Sequence, residues 1–171
     1  MNYATIKPRD IANGPGVRVS LFVSGCTHRC PGCFNEEAWD FNFGQPFTQE
    51  VIDKILEDLS PSFVKGLTLL GGEPFDPRNQ PAIVELLRQI KAKYPEKSIW
   101  AFSGYLFDKD ILPGRLGDPA ITREYLSYLD VLVDGPCASG AARTSGSSTS
   151  PSLWKPAPWS SGRTGRVTEG G

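Results

Sequence analysis

Long apolar runs are absent from this sequence, and so is an excess of charge of either sign. None of its 171 residues belongs to an uninterrupted apolar stretch of about 18 or more, so no transmembrane helix is predicted. Residues 1–7 lack the basic and then apolar pattern of a secretion signal, which indicates a cytoplasmic protein. Lysine and arginine number 18 against 19 aspartates and glutamates, with no basic stripe. This balance predicts no nucleic-acid partner and no membrane partner.

Cysteine is scarce, with four residues in the chain, but three of them fall close together. Cys26, Cys30 and Cys33 follow the spacing C-x3-C-x2-C. In a cytosolic protein such a group is more typical of metal or redox chemistry than of a disulfide framework. Cys137 stands far from this group, and we do not expect it to be a ligand.

The carboxyl-terminal segment is poor in the large apolar residues that build a core. Half of the residues from 136 to 171 are serine, glycine or proline, and only Leu153 and Val167 represent leucine, isoleucine, valine and phenylalanine. Such a segment cannot bury enough apolar surface to offset the entropy lost on ordering, so we predict a disordered tail. Residues 1–135 are long enough to form one domain with its own core.

Apolar runs and helical periodicity alternate along residues 1–135. The predicted buried strands are residues 17–24, 66–70, 98–102 and 131–133. The predicted helices are residues 48–59, 81–93 and one near 122–129. This alternation predicts βαβ units, an α/β fold and a mainly parallel sheet.

Each predicted strand is followed directly by glycine and by a polar or metal-binding residue. The four segments are Ser24-Gly25-Cys26, Gly71-Gly72-Glu73-Pro74, Ser103-Gly104-Tyr105 and Asp134-Gly135-Pro136. Parallel α/β folds build their sites at the carboxyl ends of strands, so we predict the functional site there. Turn and capping roles for Ser103, Tyr105 and Asp134 are the alternative to ligand contact.

Three thiolates on one loop are a usual way to hold a [4Fe–4S] cluster. Because a cubane has four irons, one iron would lack a cysteine and stay open to a small molecule, which favours catalysis over simple electron transfer. The Gly71-Gly72-Glu73 segment on the next strand suits the methionyl end of S-adenosylmethionine, since its glycines can expose backbone groups to a ligand and the Glu73 carboxylate could accept from an ammonium group. A simple turn is the alternative for this segment. The alternatives are a structural zinc site with His28 as fourth ligand and an electron-transfer cluster without catalysis.

The cysteine loop at residues 26–33 matches the signature of radical S-adenosylmethionine enzymes. Further matching motifs are Asn13-Gly14-Pro15-Gly16-x-Arg18, Pro31-Gly32-Cys33-Phe34-Asn35, Gly44-Gln45-Pro46-Phe47, Gly71-Gly72-Glu73-Pro74 and Val131-Leu132-Val133-Asp134-Gly135. Over residues 2–136 this combination resembles the family of activating proteins of anaerobic ribonucleoside-triphosphate reductase, one branch of the glycyl-radical enzyme activases.

The resemblance implies a partial (β/α) barrel of the radical S-adenosylmethionine type. It implies that Cys26, Cys30 and Cys33 ligate a [4Fe–4S] cluster, and that the Gly71-Gly72-Glu73 segment binds the cofactor S-adenosylmethionine. The implied reaction is reductive cleavage to a 5′-deoxyadenosyl radical, which generates a glycyl radical on the large catalytic subunit of the reductase. A flavodoxin-type donor would supply the electron. Activation of another glycyl-radical enzyme is the alternative within the same superfamily.

The chain departs from this family in two places. Gly32 stands where many radical S-adenosylmethionine enzymes carry an aromatic residue, and the reductase-activating branch shares this difference. After Pro136 the family pattern ends and the serine-, glycine- and proline-rich tail begins. An abrupt loss of both resemblance and core-forming composition is what a reading-frame shift would produce, a hypothesis that sequencing of the coding DNA tests.

Overall fold

The fold is a mixed α/β sheet with helices between its strands. The computed structural model describes residues 1–136, and describes residues 152–154 and 166–167 as strands. The strands are β1 (Asn2–Asp10), β2 (Val17–Val23), β3 (Gln45–Pro46), β4 (Val64–Gly71), β5 (Ser98–Ser103), β6 (Val131–Asp134), β7 (Ser152–Trp154) and β8 (Arg166–Val167). They form one sheet in the order β3-β1-β2-β4-β5-β6-β7-β8, and these described strands do not close into a ring.

The four predicted strands are confirmed, and they are the parallel part of the sheet. β2, β4, β5 and β6 lie side by side in chain order and run parallel. The remaining described pairs are antiparallel. The predicted mainly parallel α/β arrangement therefore holds for the centre of the sheet, while antiparallel strands extend both of its sides.

Three α-helices connect the parallel strands, close to the predicted positions. They are α1 (Gln49–Leu59), α2 (Gln80–Lys93) and α3 (Pro119–Tyr128). α3 begins three residues before the expected start, because Asp118 caps it by accepting a hydrogen bond from the Ala120 amide at 2.8 Å. A short 3-10 helix (Glu36–Trp39) and a single π-helical turn (Phe107–Ile111) lie in the connections.

The core lies between one face of the sheet and the helices. Alternate residues of the parallel strands, such as Leu21, Leu69 and Ile99, are fully buried there with Ile55 of α1 and Leu87 of α2. Burying each of these side chains contributes about 1.5–3 kcal/mol relative to leaving it exposed. This packing fixes the parallel strands in one register, so their carboxyl ends lie together.

β1 was not among the predicted strands. It pairs antiparallel with β2, and most of its side chains are exposed or half-buried. Tyr3 and Ile6 are its only large apolar residues, and Pro8 interrupts it, so neither a buried run nor clear alternation is present in the sequence.

In the part of the chain that the structure describes, no helix is long and apolar enough to cross a membrane. The predicted disordered tail falls mostly outside the described residues, as does Cys137. The described exceptions are Pro136 and the strands β7 and β8, which follow β6 in the sheet order.

Candidate functional site

The carboxyl ends of the four parallel strands meet at one edge of the sheet, which we call the carboxyl edge. Val23 of β2 lies opposite Gly71 of β4, and Ser103 of β5 lies opposite Asp134 of β6. The predicted site residues therefore come from neighbouring strand ends, as expected for a parallel sheet.

The cysteines lie on the connection that leaves β2, which we call the cluster loop (residues 26–33). The 3-10 helix supports it from behind: Gly25 N donates to Ala38 O at 2.8 Å, and Cys26 N donates to Trp39 O at 3.2 Å. Gly25 has a φ of 94°, and a Cβ there would lie 2.1 Å from the ring of Phe41. Only glycine therefore allows the loop to leave the strand along this path.

The loop bends twice between its cysteines. Arg29 has a φ of 48° and Gly32 a φ of 74°. Cys33 N donates to Cys30 O at 3.1 Å and closes the second bend. A left-handed conformation at a residue other than glycine carries strain, and such positions concentrate at functional sites.

All three cysteines are free thiols and half-buried. Asn35 N donates to Cys33 Sγ at 3.4 Å. Burial raises the pKa of the Cys26 thiol and the charge of Glu73 adds to this, whereas the backbone amides of His28 and Arg29 act in the opposite direction. Amide groups directed at cysteine sulfur stabilise thiolate, the form that binds iron, so this donor set fits an iron–sulfur cluster.

In the described residues, no three histidine, cysteine, aspartate or glutamate side chains converge as the ligands of one metal ion. Cubane ligands bind three different irons and need not converge on one point. His28, the fourth ligand in the zinc alternative, directs its Nε2 to Glu73 instead.

Glu73 is the most connected side chain of the carboxyl edge, and it is 1% exposed. Its Oε1 accepts from Phe75 N at 2.8 Å and from Ser103 Oγ at 2.9 Å. Its Oε2 accepts from Gly104 N at 2.8 Å and from His28 Nε2 at 2.9 Å. One carboxylate thus joins the cluster loop, β4 and β5.

Gly71 and Gly72 bring the end of β4 against the backbone that leads from β2 into the cluster loop. Gly71 has a φ of 108°, and a Cβ there would lie 2.7 Å from Val23 N. A Cβ at Gly72 would lie 2.5 Å from Gly25 O. Both glycines therefore serve a close approach between backbone segments, and their contact with a ligand stays a prediction.

Ser103 and Asp134 are both buried at their strand ends. Ser103 Oγ donates to Glu73 and accepts from Tyr105 N at 3.1 Å. Asp134 Oδ2 accepts from Phe107 N at 2.7 Å, which fixes the start of the π-helical turn. The structure thus joins Ser103 directly to Glu73, and Asp134 to the segment that follows β5.

The contact between His28 and Glu73 was not predicted from the sequence, which indicated His28 only as the fourth ligand of the alternative zinc site. Its ring packs edge-on against Tyr105 at 4.3 Å between centroids. Its hydrogen bond to Glu73 raises the pKa of the imidazole, although burial acts against this. The one signal available was that the chain contains a single histidine, located between two cysteines.

The segment at residues 13–18 lies at the start of β2, at the opposite end of that strand from the cysteines. Arg18 is fully buried, and its Nε donates to Thr68 Oγ1 at 2.7 Å. Thr68 Oγ1 in turn donates to Asn13 O at 2.8 Å. Burial lowers the pKa of Arg18 to about 10, so it remains charged at neutral pH. This motif holds the loop before β2 against β4.

A cavity of about 680 Å³ opens beside the cluster loop. Its lining includes Cys26, Arg29, Trp39, Phe41 and Arg78. Cys26, the cysteine nearest to β2, therefore borders this space.

Comparison with known proteins supports an iron–sulfur assignment. The family model described as 4Fe-4S single cluster domain matches residues 12–152. The anaerobic ribonucleoside-triphosphate reductase-activating protein of Enterobacteria phage T4 is 44% identical over 135 residues, which are 79% of this chain and 80% of that protein. The proteins of the same name from Escherichia coli K12 and Vibrio cholerae are 44% and 43% identical over 137 residues, 79% of this chain and 84% and 83% of theirs. The resemblance predicted from the motifs is therefore confirmed, and this chain belongs to the family of anaerobic ribonucleoside-triphosphate reductase-activating proteins.

Proposed function

We propose that this chain activates an anaerobic ribonucleoside-triphosphate reductase by generating a glycyl radical on its large catalytic subunit. The relatives at 44% identity are named anaerobic ribonucleoside-triphosphate reductase-activating proteins. One observation carries the proposal. Three free thiols lie on the cluster loop, and the hydrogen bond between His28 and Glu73 joins this loop to the carboxyl edge. In this proposal, the cluster and its ligand bind side by side at this arrangement.

In this proposal, Cys26, Cys30 and Cys33 hold a [4Fe–4S] cluster. Asn35 N donates to the Cys33 sulfur, and the backbone amides of His28 and Arg29 partly offset the effect of burial on the pKa of Cys26. Such amide donors are typical partners of sulfurs that ligate iron. When bound, the cluster supplies the electron that cleaves S-adenosylmethionine to methionine and the 5′-deoxyadenosyl radical, which takes hydrogen from a glycine of the reductase. We expect a flavodoxin-type protein to reduce the cluster.

The residues of the neighbouring strand ends bind S-adenosylmethionine in this proposal. Gly71, Gly72 and Glu73 receive its methionyl end, with the Glu73 carboxylate accepting from the ammonium group. Ser103 and Asp134 lie at the next two strand ends and contact its nucleoside part. Four consecutive parallel strands with helical connections are consistent with a partial (β/α) barrel around this ligand.

We further propose that residues 1–135 form the functional domain and that the low-complexity segment at residues 136–171 is not part of it. A reading-frame shift accounts for the change of composition at this boundary. We place the activity in the cytoplasm, where thiols stay reduced and available for cluster assembly. An unbroken reading frame with independent homologous tails would contradict the frameshift.

Anaerobic reconstitution with iron and sulfide tests the cluster assignment. The expected result is iron–sulfur absorption with about four irons per chain, together with 5′-deoxyadenosine formation after reduction in the presence of S-adenosylmethionine. Bound zinc without iron–sulfur absorption would defeat the enzyme assignment and favour the structural zinc site.

A further inference from the structure

Every hydrogen-bonding position of the Glu73 carboxylate is taken. An ionised carboxylate accepts at about four lone-pair positions. Phe75 N and Ser103 Oγ use Oε1, and Gly104 N and His28 Nε2 use Oε2. A ligand ammonium can therefore bond to Glu73 only where one of these four donors leaves.

The four donors differ in how easily they can leave. Two are backbone amides in the segments that follow β4 and β5, and Ser103 is 8% exposed within β5. The His28 side chain is 22% exposed, and it belongs to the cluster loop rather than to a strand. Displacing His28 from Glu73 therefore disturbs the strands less than displacing any of the other three donors.

The imidazole is held at the carboxyl edge by packing contacts and one hydrogen bond. A Cβ at Gly104 would lie 2.8 Å from His28 Cδ2, so the ring rests directly on the backbone after β5. Tyr105 covers it from the side. The ring is also held by its hydrogen bond to Glu73.

We infer that His28 occupies the place of the ligand ammonium and leaves Glu73 when S-adenosylmethionine binds. This inference rests on the proposed function of the site. An N–H donor of the protein is exchanged for an N–H donor of the ligand, so the buried carboxylate is never without a partner. Because His28 lies between Cys26 and Cys30, the exchange couples occupation of the ligand site to the conformation of the cluster loop.

The exchange makes binding selective for ligands with an α-amino group. S-adenosylhomocysteine carries this group and cannot be reductively cleaved in the same way, so it reports binding alone. 5′-Methylthioadenosine has the same nucleoside and thioether but no amino acid. We expect the first to displace His28 and the second to leave it on Glu73.

The single histidine of the chain allows a direct measurement. In the full-length protein with its cluster oxidised, ¹⁵N-histidine labelling gives the resonances of His28 alone. We expect the hydrogen-bonded Nε2 resonance to shift on saturation with S-adenosylhomocysteine and to keep its position with 5′-methylthioadenosine. An unshifted resonance with S-adenosylhomocysteine bound, or equal shifts with both ligands, would overturn the exchange.

Variants of His28 test the same inference by affinity. Removing the competing donor in His28→Ala should tighten S-adenosylhomocysteine binding about tenfold and leave 5′-methylthioadenosine binding unchanged. His28→Gln keeps an N–H donor and should bind close to wild type. Weaker binding in His28→Ala would show instead that the imidazole supports the ligand. Wild-type protein that forms 5′-deoxyadenosine from S-adenosylmethionine but binds S-adenosylhomocysteine no more tightly than 5′-methylthioadenosine would overturn the exchange and leave the proposed function standing. Absence of 5′-deoxyadenosine from protein that carries its cluster would defeat the proposed function itself.

Discussion

The backbone of Gly72 touches that of Gly25, so that a Cβ on Gly72 would lie 2.5 Å from the Gly25 carbonyl oxygen. The same Cβ would lie 3.0 Å from Ala38 O, which accepts from the Gly25 amide. The cluster loop, the end of β4 and the 3-10 helix therefore meet at a point where no side chain fits.

Gly72→Ala should displace the cluster loop without unfolding the sheet. The added methyl meets backbone oxygens that cannot move separately, and such overpacking costs about 1–3 kcal/mol. We expect less iron bound per chain after reconstitution, with an unchanged far-ultraviolet circular dichroism spectrum.

Gly104→Ala is the matched control for this substitution, because its methyl would meet the movable imidazole of His28. It should retain more iron than Gly72→Ala. Equal iron content in the two variants would show that the Gly25–Gly72 contact does not position the loop.

Glu73→Gln should destabilise the protein even in the absence of ligand. All four groups bonded to Glu73 donate hydrogen, and a glutamine amide would place its own NH₂ against some of them. We expect a loss of about 2 kcal/mol in the free energy of unfolding, measured with urea. Glu85→Gln is the control, since Glu85 is an exposed carboxylate on α2 whose ion pair with Arg88 is also exposed. A loss no larger for Glu73→Gln than for Glu85→Gln would refute the role of Glu73 as the link between strands.

Arg18→Met should destabilise the fold, because it removes hydrogen bonds that join the parallel strands β2 and β4. The substitution keeps much of the buried volume but removes the donors to Thr68 Oγ1 and to the Leu67 carbonyl, which Nη2 reaches at 2.8 Å. We expect a loss of about 3 kcal/mol in the free energy of unfolding, because buried acceptors lose their partners. Arg88→Met, at an exposed arginine, should change it little. An Arg18→Met protein as stable as the wild type would contradict a structural role for the motif at residues 13–18.

Asp10 gives the protein part of its acid sensitivity. Burial would raise the pKa of its carboxyl, but hydrogen bonds from Ala12 N at 3.0 Å and Asn13 Nδ2 at 2.6 Å and the positive charge of Lys7 bring the pKa below its usual value of 3.8. A carboxyl with a lowered pKa in the folded state stabilises the protein above its unfolded pKa, and this contribution is lost as the pH falls through the folded pKa.

The stability difference between wild type and Asp10→Asn should therefore be largest near neutral pH and narrow below about pH 4. Urea unfolding of both proteins across this range measures it. A difference that stays constant with pH would mean that the charge of Asp10 does not contribute.

The sequence was sufficient to predict the features that depend on local pattern. The parallel strands are short apolar runs, and the cysteine spacing and the glycines after each strand are contiguous in the chain. Because the strands are parallel, the segments that follow them were expected to lie at one edge of the sheet. The pairing of Val23 with Gly71 and of Ser103 with Asp134 confirms this. β1 could not be predicted in this way, because its side chains are mostly too exposed to leave an apolar pattern.

Contacts between residues distant in the chain could not be predicted from the sequence, for a different reason. His28 and Glu73 are 45 positions apart, and no periodic or compositional pattern in the sequence indicates that they are in contact. The same holds for Arg18 and Ser98, 80 positions apart, whose carbonyl oxygen accepts from Arg18 Nη2 at 2.8 Å. Such pairs are set by strand order and by packing, which only the three-dimensional structure supplies.

Electron paramagnetic resonance of the reductase tests the central claim most directly. The reconstituted and reduced protein is mixed anaerobically with S-adenosylmethionine and the large subunit of an anaerobic ribonucleoside-triphosphate reductase. We predict a glycyl radical signal on that subunit with the wild-type protein and none with Cys30→Ala. Signals of equal size from both proteins, or no signal from a wild-type protein that carries its cluster, would contradict the account.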